Sequence, residues 1–139
     1  MDKITIRFAT NKDKSFLISN RRHIDKSLLI SKINSEEVYV ICENREIIGW
    51  ARYNLFCDLT PFLTMIYILE NFRRIGYGKK LIDFWEKDMK SKKQKYLMTS
   101  TQADEQAQFF YHKLGFKDIG SIILPNQDPL EIFLIKEIS

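Results

Sequence analysis

Arg73-Arg74-Ile75-Gly76-Tyr77-Gly78 is the stretch on which the fold turns. Just upstream, Leu63 to Leu69 is nearly all apolar, the pattern of a central strand covered on both faces. Just downstream the hydrophobic period changes to about 3.6 residues. From Gly76 to Lys92, the residues Leu81, Trp85 and Met89, with Ile82 beside them, form one apolar stripe. Lys80, Asp83, Glu86, Lys87 and Lys90 cover the rest, so the segment predicts an amphipathic helix lying on a sheet. Two of the chain's five glycines fall in the turn between these elements. A helix N-terminus offers unpaired N–H groups and the positive end of a dipole, and glycine lets backbone approach an anion. With Arg73, Arg74, Lys79 and Lys80 around it, the turn suits a phosphate-bearing ligand.

Outward from the turn, Tyr96 to Thr101 reads as a short strand. Gln102 to Leu114 reads as a second helix, with Ala103, Ala107, Phe110 and Leu114 as its core stripe. Gly115 follows where a left-handed cap is favoured. Phe116 to Leu124 and Leu130 to Ile138 close the chain as strands around Pro125-Asn126-Gln127-Asp128-Pro129. On the other side, Val38 to Cys42 and Ile47 to Tyr53 form a hairpin about the turn Glu43-Asn44-Arg45-Glu46. Ile4 to Phe8 alternates as a half-buried strand. Asn11 to Asn20 and Ile24 to Ile33 are helix-like, with Phe16, Leu17, Leu28, Leu29 and Ile33 available for a core. The order is β-α-α-β-β-β-α-β-α-β-β, an α/β domain with a mixed sheet.

No linker, repeat or low-complexity tract divides the 139 residues, so residues 1–139 are read as one domain. A chain of this length buries roughly two-thirds of its unfolded surface and needs no metal or disulfide to fold. Hydrophobic residues are 45% and charged residues 29%, which excludes intrinsic disorder. Leu59 to Leu69 is far short of the roughly 20 residues of a membrane span. Met1-Asp2-Lys3 leads into an alternating segment without the apolar core of a signal peptide, so a cytoplasmic location is expected. The net charge of +4 is spread along the chain and favours an anionic ligand without arguing for nucleic acid. Cys42 and Cys57 lie in apolar runs and read as buried free thiols. His23 and His112 have no partner at ligand spacing, so no metal site is expected.

The phosphate-binding turn fits neither common nucleotide fingerprint. The dinucleotide pattern wants a third glycine where Leu81 stands, and the P-loop wants glycine at Arg73 and Ser or Thr at Lys80. Taken alone, the turn also reads as a tight strand-to-helix connection with solvated basic residues. Arg73-x-x-Gly76-x-Gly78, however, resembles the pyrophosphate loop of the GNAT superfamily of acyl-CoA-dependent N-acetyltransferases, R/Q-x-x-G-x-G/A. Ala107-Gln108-Phe109-Phe110-Tyr111-His112-Lys113-Leu114-Gly115-Phe116 is similar to that family's second signature, A-x-x-F/L-Y-x-x-x-G-F. The separation of one helix and one strand also matches, and the likeness covers roughly Leu63 to Phe116.

That resemblance implies a mixed sheet, splayed at its centre and flanked by helices, with acetyl-CoA lying where the Leu63 to Leu69 strand parts from the Tyr96 to Thr101 strand. Backbone groups of Ile66, Tyr67 and Ile68 would pair with the pantetheine arm like an added strand. N–H groups of the loop Arg73, Arg74, Ile75, Gly76, Tyr77, Gly78 and Lys79 would hold the pyrophosphate. Asp104 stands where the family often keeps an asparagine that touches the pantetheine; an ionised carboxylate accepts but cannot donate. Tyr111 stands where the family keeps a tyrosine that serves the leaving thiolate. The helix geometry agrees: on the Gln102 to Leu114 helix, Asp104, Gln108 and Tyr111 fall at i, i+4 and i+7, a stripe beside its core face.

The reaction implied is direct attack of a neutral amine on the thioester carbonyl, through an oxyanion held by strand N–H groups. Deprotonating a lysine amine at pH 7 costs about 4.6 kcal/mol, an α-amine only about 1. No motif places a base: Thr99 stands where some relatives keep a glutamate, which leaves Glu70 or a water chain. Two other classes remain: a non-catalytic acyl-CoA-binding module on the same fold and, more remotely, a nucleic-acid-binding domain using the run Lys90, Lys92, Lys93 and Lys95, which otherwise reads as a solvated face. The acceptor amine, and whether the chain acts as monomer or homodimer, carry no mark in the sequence.

Overall fold

Val38 to Cys42 is apolar at every position because both of its faces are covered, and all five residues are buried. In a computed structural model of the chain, which describes residues 3–139, these residues form most of β2 (Val38–Glu43). The other strands are β1 (Ile4–Phe8), β3 (Glu46–Phe56), β4 (Thr60–Ile68), β5 (Tyr96–Gln102), β6 (Lys117–Ile122) and β7 (Glu131–Glu137). The helices are α1 (Lys14–Ser19), α2 (Lys26–Asn34), α3 (Tyr77–Ser91) and α4 (Ala107–Lys113), with 3-10 turns at Asn11–Asp13 and Glu70–Phe72. The strands form one seven-stranded sheet in the order β1-β2-β3-β4-β5-β7-β6. The β4–β5 pairing is parallel, Phe62 with Met98 and Leu63 with Thr99, and the other recorded ladders are antiparallel. The α/β order and the mixed sheet read from the sequence are those observed.

The chain falls into two compact units, Met1–Tyr53 with Met65–Trp85 and Asn54–Thr64 with Glu86–Ser139. In the first, Val38, Val40 and Cys42 pack with Leu17, Leu29, Ile33 and Trp50, and Met65, Tyr67 and Leu69 of the β4 end close over that cluster. The alternate residue Tyr39 points to the opposite face. There Phe84 of α3 meets Tyr39 and Phe8 at ring distances of 5.5 and 6.0 Å. The predicted stripe on α3 is fully buried at Leu81, Ile82, Trp85 and Met89. Arg7 donates both guanidinium arms to Asp13 at 2.7 and 3.0 Å, and Asp13 also accepts from the Thr10 N–H at 2.8 Å. These bonds pull the Asp13 carboxyl below the usual carboxylate range, the Arg7 contact first among the causes.

In the second unit β7 inserts between β5 and β6, pairing with β5 from Tyr96↔Glu137 to Gln102↔Glu131. Phe56, Phe62 and Phe133 group at 5.7–6.2 Å on one face. Gly115, at φ +98°, ends α4 as expected: its N–H donates to the His112 carbonyl and the Phe116 N–H to the Tyr111 carbonyl, each at 3.0 Å.

Several expectations are corrected. The second helix starts at Ala107, because β5 runs on to Gln102 and the Gln108 side chain ties the following turn at the carbonyls of Ala103 and Glu105. Asp104 therefore precedes the helix and shares no helical stripe with Tyr111. Leu28 is exposed while Leu29 and Ile33 are buried. Cys57 is exposed as well, because Cys57 and Asp58, both at positive φ, make the turn between β3 and β4. Cys42 is the buried thiol that was expected.

Candidate active site

The turn singled out in the sequence is built from the end of β4. Glu70–Phe72 coils once, and the Arg73 N–H donates to the Glu70 carbonyl at 3.3 Å. Arg73 folds back, donating Nε to the Ile68 carbonyl at 2.7 Å with its guanidinium 5.0 Å from the centre of the Tyr67 ring. Arg74 adopts φ +64° and Gly76 φ +101°, so the chain reverses just before α3. A Cβ at Gly76 would meet no atom within 4 Å, so the glycine answers to backbone conformation and to an open approach. The Lys80 N–H, bonded to the Gly76 carbonyl at 3.1 Å, makes the first helical bond. The N–H groups of Tyr77, Gly78 and Lys79 stand ahead of that bond, where a helix offers donors to an anion. The Lys79 ammonium itself pairs with Asp83 at 2.9 Å.

Ile66, Tyr67 and Ile68 are all half-buried, an unusual exposure for apolar residues of an internal strand. Gly49 sets how close β3 comes to them. A Cβ there would lie 2.6 Å from Ile68 Cδ1 and 2.9 Å from both Ile41 Cγ2 and the Tyr67 carbonyl oxygen. The Leu69 N–H donates to the Ile48 carbonyl at 2.8 Å and fixes the strand's end. Glu70, the candidate base, is exposed at the start of the 3-10 turn.

Tyr111 is the buried residue of α4, 5% exposed, with its ring 5.3 Å from Phe110 and 5.6 Å from Phe116. The expected stripe of Ala107, Phe110 and Leu114 is only half-buried, so the tyrosine belongs to the core face and not beside it. Burial pushes the phenol pKa up, and the Thr99 hydroxyl, which favours the ionised form, holds it partly back. Thr99, 1% exposed, donates to the Leu63 carbonyl at 3.1 Å. Asp104 is exposed in the turn before α4.

Sequence reasoning singled out the loop and the tyrosine and did not foresee what packs around them. Gly49 carried a signal, since an isolated glycine inside a strand marks close backbone approach. Thr99 was noted only for what it is not, and its tie to Tyr111 depends on a register no local pattern encodes. Arg22 lies in a segment without a motif, yet its guanidinium sits 3.7 Å over the Tyr67 ring. Among the described residues no His, Cys, Asp or Glu group could hold a metal ion, and no helix is long and apolar enough to cross a membrane.

Comparison with known proteins agrees with this geometry. Ard1 from Thermoplasma volcanium superposes with a TM-score of 0.82 at 19% identity, covering 98% of each chain. YncA, a putative acetyltransferase from Salmonella typhimurium solved with acetyl-CoA, gives 0.81 at 17% identity, over 98% of this chain and 94% of that one. The ribosomal-protein-S18-alanine N-acetyltransferase from Escherichia coli gives 0.78 at 18% identity, over 99% and 95%. At such identities these likenesses speak for the fold. No curated protein matches the sequence. The model of the acetyltransferase (GNAT) domain, however, matches residues 34–118, which include the whole turn from Arg73 to Gly78 and Tyr111. The chain belongs to the GNAT acetyltransferase family.

Proposed function

We propose that the chain transfers the acetyl group of acetyl-CoA to a primary amine by direct attack on the thioester. The observation that carries this reading is the turn into α3, where positive φ at Arg74 and Gly76 puts the N–H groups of Tyr77, Gly78 and Lys79 ahead of the first helical bond. That array, with Arg74 beside it, suits a pyrophosphate and needs no metal. Half-buried Ile66, Tyr67 and Ile68 offer a strand for the pantetheine arm to extend.

In the reaction the amine nitrogen bonds to the thioester carbon and the carbon–sulfur bond breaks, leaving a thiolate. Tyr111 is the group assigned to it. A thiol's pKa of about 8.5 lies below a phenol's of about 10, and burial widens the gap at Tyr111. Full proton transfer to the thiolate runs uphill, so the hydroxyl donates a hydrogen bond that strengthens as charge reaches sulfur. Thr99 positions it: when Thr99 turns its own proton to the phenol oxygen, the phenol proton is released for the sulfur. Glu70 or water receives the amine's proton. Asp104, at the position where the family often keeps an asparagine, would serve the pantetheine as an acceptor only. The acceptor amine is either a small molecule or a peptide or protein amine.

The test is amine-dependent release of CoA thiol from acetyl-CoA, alongside thermal melting with CoA thioesters. Turnover with any amine and a rise in melting temperature are the expected results. A melting temperature unmoved by millimolar acetyl-CoA overturns the reading. A shift without turnover against a broad amine panel leaves a non-catalytic acyl-CoA-binding module.

A further inference from the structure

Arg21, Arg22 and His23, between α1 and α2, line one side of a cavity of about 390 Å³, whose apolar lining is Trp50, Tyr67 and Leu69. The cavity is built and not incidental. Trp50 and Tyr67 pack at a ring distance of 5.1 Å, and Phe16 holds Trp50 edge-on at 5.4 Å. Arg52, nearly fully buried, donates to the Arg22 carbonyl and so fixes the segment to β3. Arg21 donates to the Ile18 carbonyl at 2.9 Å. The Asp25 carboxylate nearby is turned to the Ser27 N–H at 3.1 Å. The Arg22 guanidinium carbon sits 3.7 Å from the centre of the Tyr67 ring, and no carboxylate among the described residues forms an ion pair with it. A guanidinium held over an aromatic face keeps N–H groups for the oxygens of a carboxylate or phosphate.

Tyr67 also joins the cavity to the chemistry. Its backbone belongs to the strand segment assigned above to the pantetheine arm, while its ring forms part of the cavity lining. An acceptor seated there therefore lies beside the strand segment assigned to that arm. We infer that this cavity selects the acceptor, and that the acceptor is a small primary amine carrying a carboxylate or phosphate, which Arg22 grips while Tyr67 and Trp50 hold its carbon skeleton. The inference rests on the acetyltransferase reading. A volume of this size suits a free amino acid or a comparable small molecule. The cationic lining also disfavours the ammonium form of a bound amine, which assists a reaction that has no dedicated base.

The test compares kcat/KM for free amino acids against their carboxamides, and for O-phosphoethanolamine against ethanolamine. The acids or the phosphate are expected to lead their neutral partners by about ten- to hundredfold, the worth of a charge-assisted bond. Whichever pair shows the larger ratio identifies the anion. Arg22→Met collapses that ratio towards one, and Arg22→Lys restores part of it, with folding checked by thermal melting. Neutral partners acetylated as fast as the anions, a ratio untouched by Arg22→Met, or turnover confined to peptide N-termini overturns the inference. Acetyl-CoA binding measured without acceptor separates the cases: a chain that binds acetyl-CoA but ignores the anions loses only this inference. One that does not bind it loses the acetyltransferase reading too.

Discussion

Tyr67 and Tyr111 stand in opposite surroundings. Tyr67 is half-buried, with the guanidinium groups of Arg22 and Arg73 at 3.7 and 5.0 Å from its ring centre. Tyr111 is 5% exposed among Phe110 and Phe116, and its phenol pKa is pushed up by burial and held partly back by the Thr99 hydroxyl. The first ring contributes its face, and its neighbours contribute charge, which are the means of recognising a ligand. The second contributes one hydroxyl in a water-poor setting, where a hydrogen bond to developing charge is stronger than in water. Recognition and chemistry are thus assigned to different parts of the chain, and variants in each should fail in different ways.

The largest effect is expected at the phosphate turn. Gly76→Val forces a β-branched residue to φ +101° and crowds the loop's N–H groups. Acetyl-CoA affinity should fall about a hundredfold, roughly 3 kcal/mol by titration calorimetry. The open space around Gly76 should leave the fold in place. Gly49→Ala comes next. Its Cβ drives at the Tyr67 carbonyl and Ile68, an overpacking that costs about 2–3 kcal/mol in denaturant unfolding. Because the displaced strand is the one assigned to pantetheine, acetyl-CoA affinity should weaken as well, whereas Tyr111 chemistry should persist at saturation.

A smaller effect concerns acid stability. Asp13 titrates below its ordinary value because Arg7 and the Thr10 N–H stabilise the carboxylate. Its contribution is therefore present above about pH 4, the unfolded carboxylate's range, and lost as pH falls through the lower folded pKa. Asp13→Asn should lower stability by about 1–2 kcal/mol at pH 7 and flatten the acid limb of the stability curve. An unchanged acid limb would remove Asp13 from the account. The smallest effect is at Thr99. Thr99→Val should cut kcat about fivefold, roughly 1 kcal/mol, with acetyl-CoA affinity kept. In a Tyr111→Phe background the same change should do nothing further to kcat, since the two act as one unit.

How much of this was legible in the sequence follows from the range of the interactions. The turn at Arg73 to Gly78 and the α3 stripe are local patterns, and both were readable. Gly115 was readable too, because a left-handed cap depends on neighbours in the chain. The start of α4 was not, because the helix passes over Asp104, the residue best suited to cap it, and starts after Gln106, while β5 takes Gln102 by pairing with Glu131 of β7. Cys57 looked apolar and buried, but it falls at the tip of a hairpin whose two strands run longer than their apolar cores. The contact of Arg22 with Tyr67 and the chain from Tyr111 through Thr99 to Leu63 link residues far apart in sequence. Only the assembled fold brings them together.

The measurement that bears most directly on the division between recognition and chemistry is Tyr111→Phe, read as kcat with the best acceptor and as the Kd of acetyl-CoA. The substitution removes a hydroxyl and keeps the ring against Phe116. An interaction made with the leaving sulfur only as charge develops is worth about 1.5–3 kcal/mol, so kcat should fall about ten- to hundredfold while Kd barely moves. A variant that turns over at the wild-type rate would make Tyr111 a packing residue and contradict the role assigned to it.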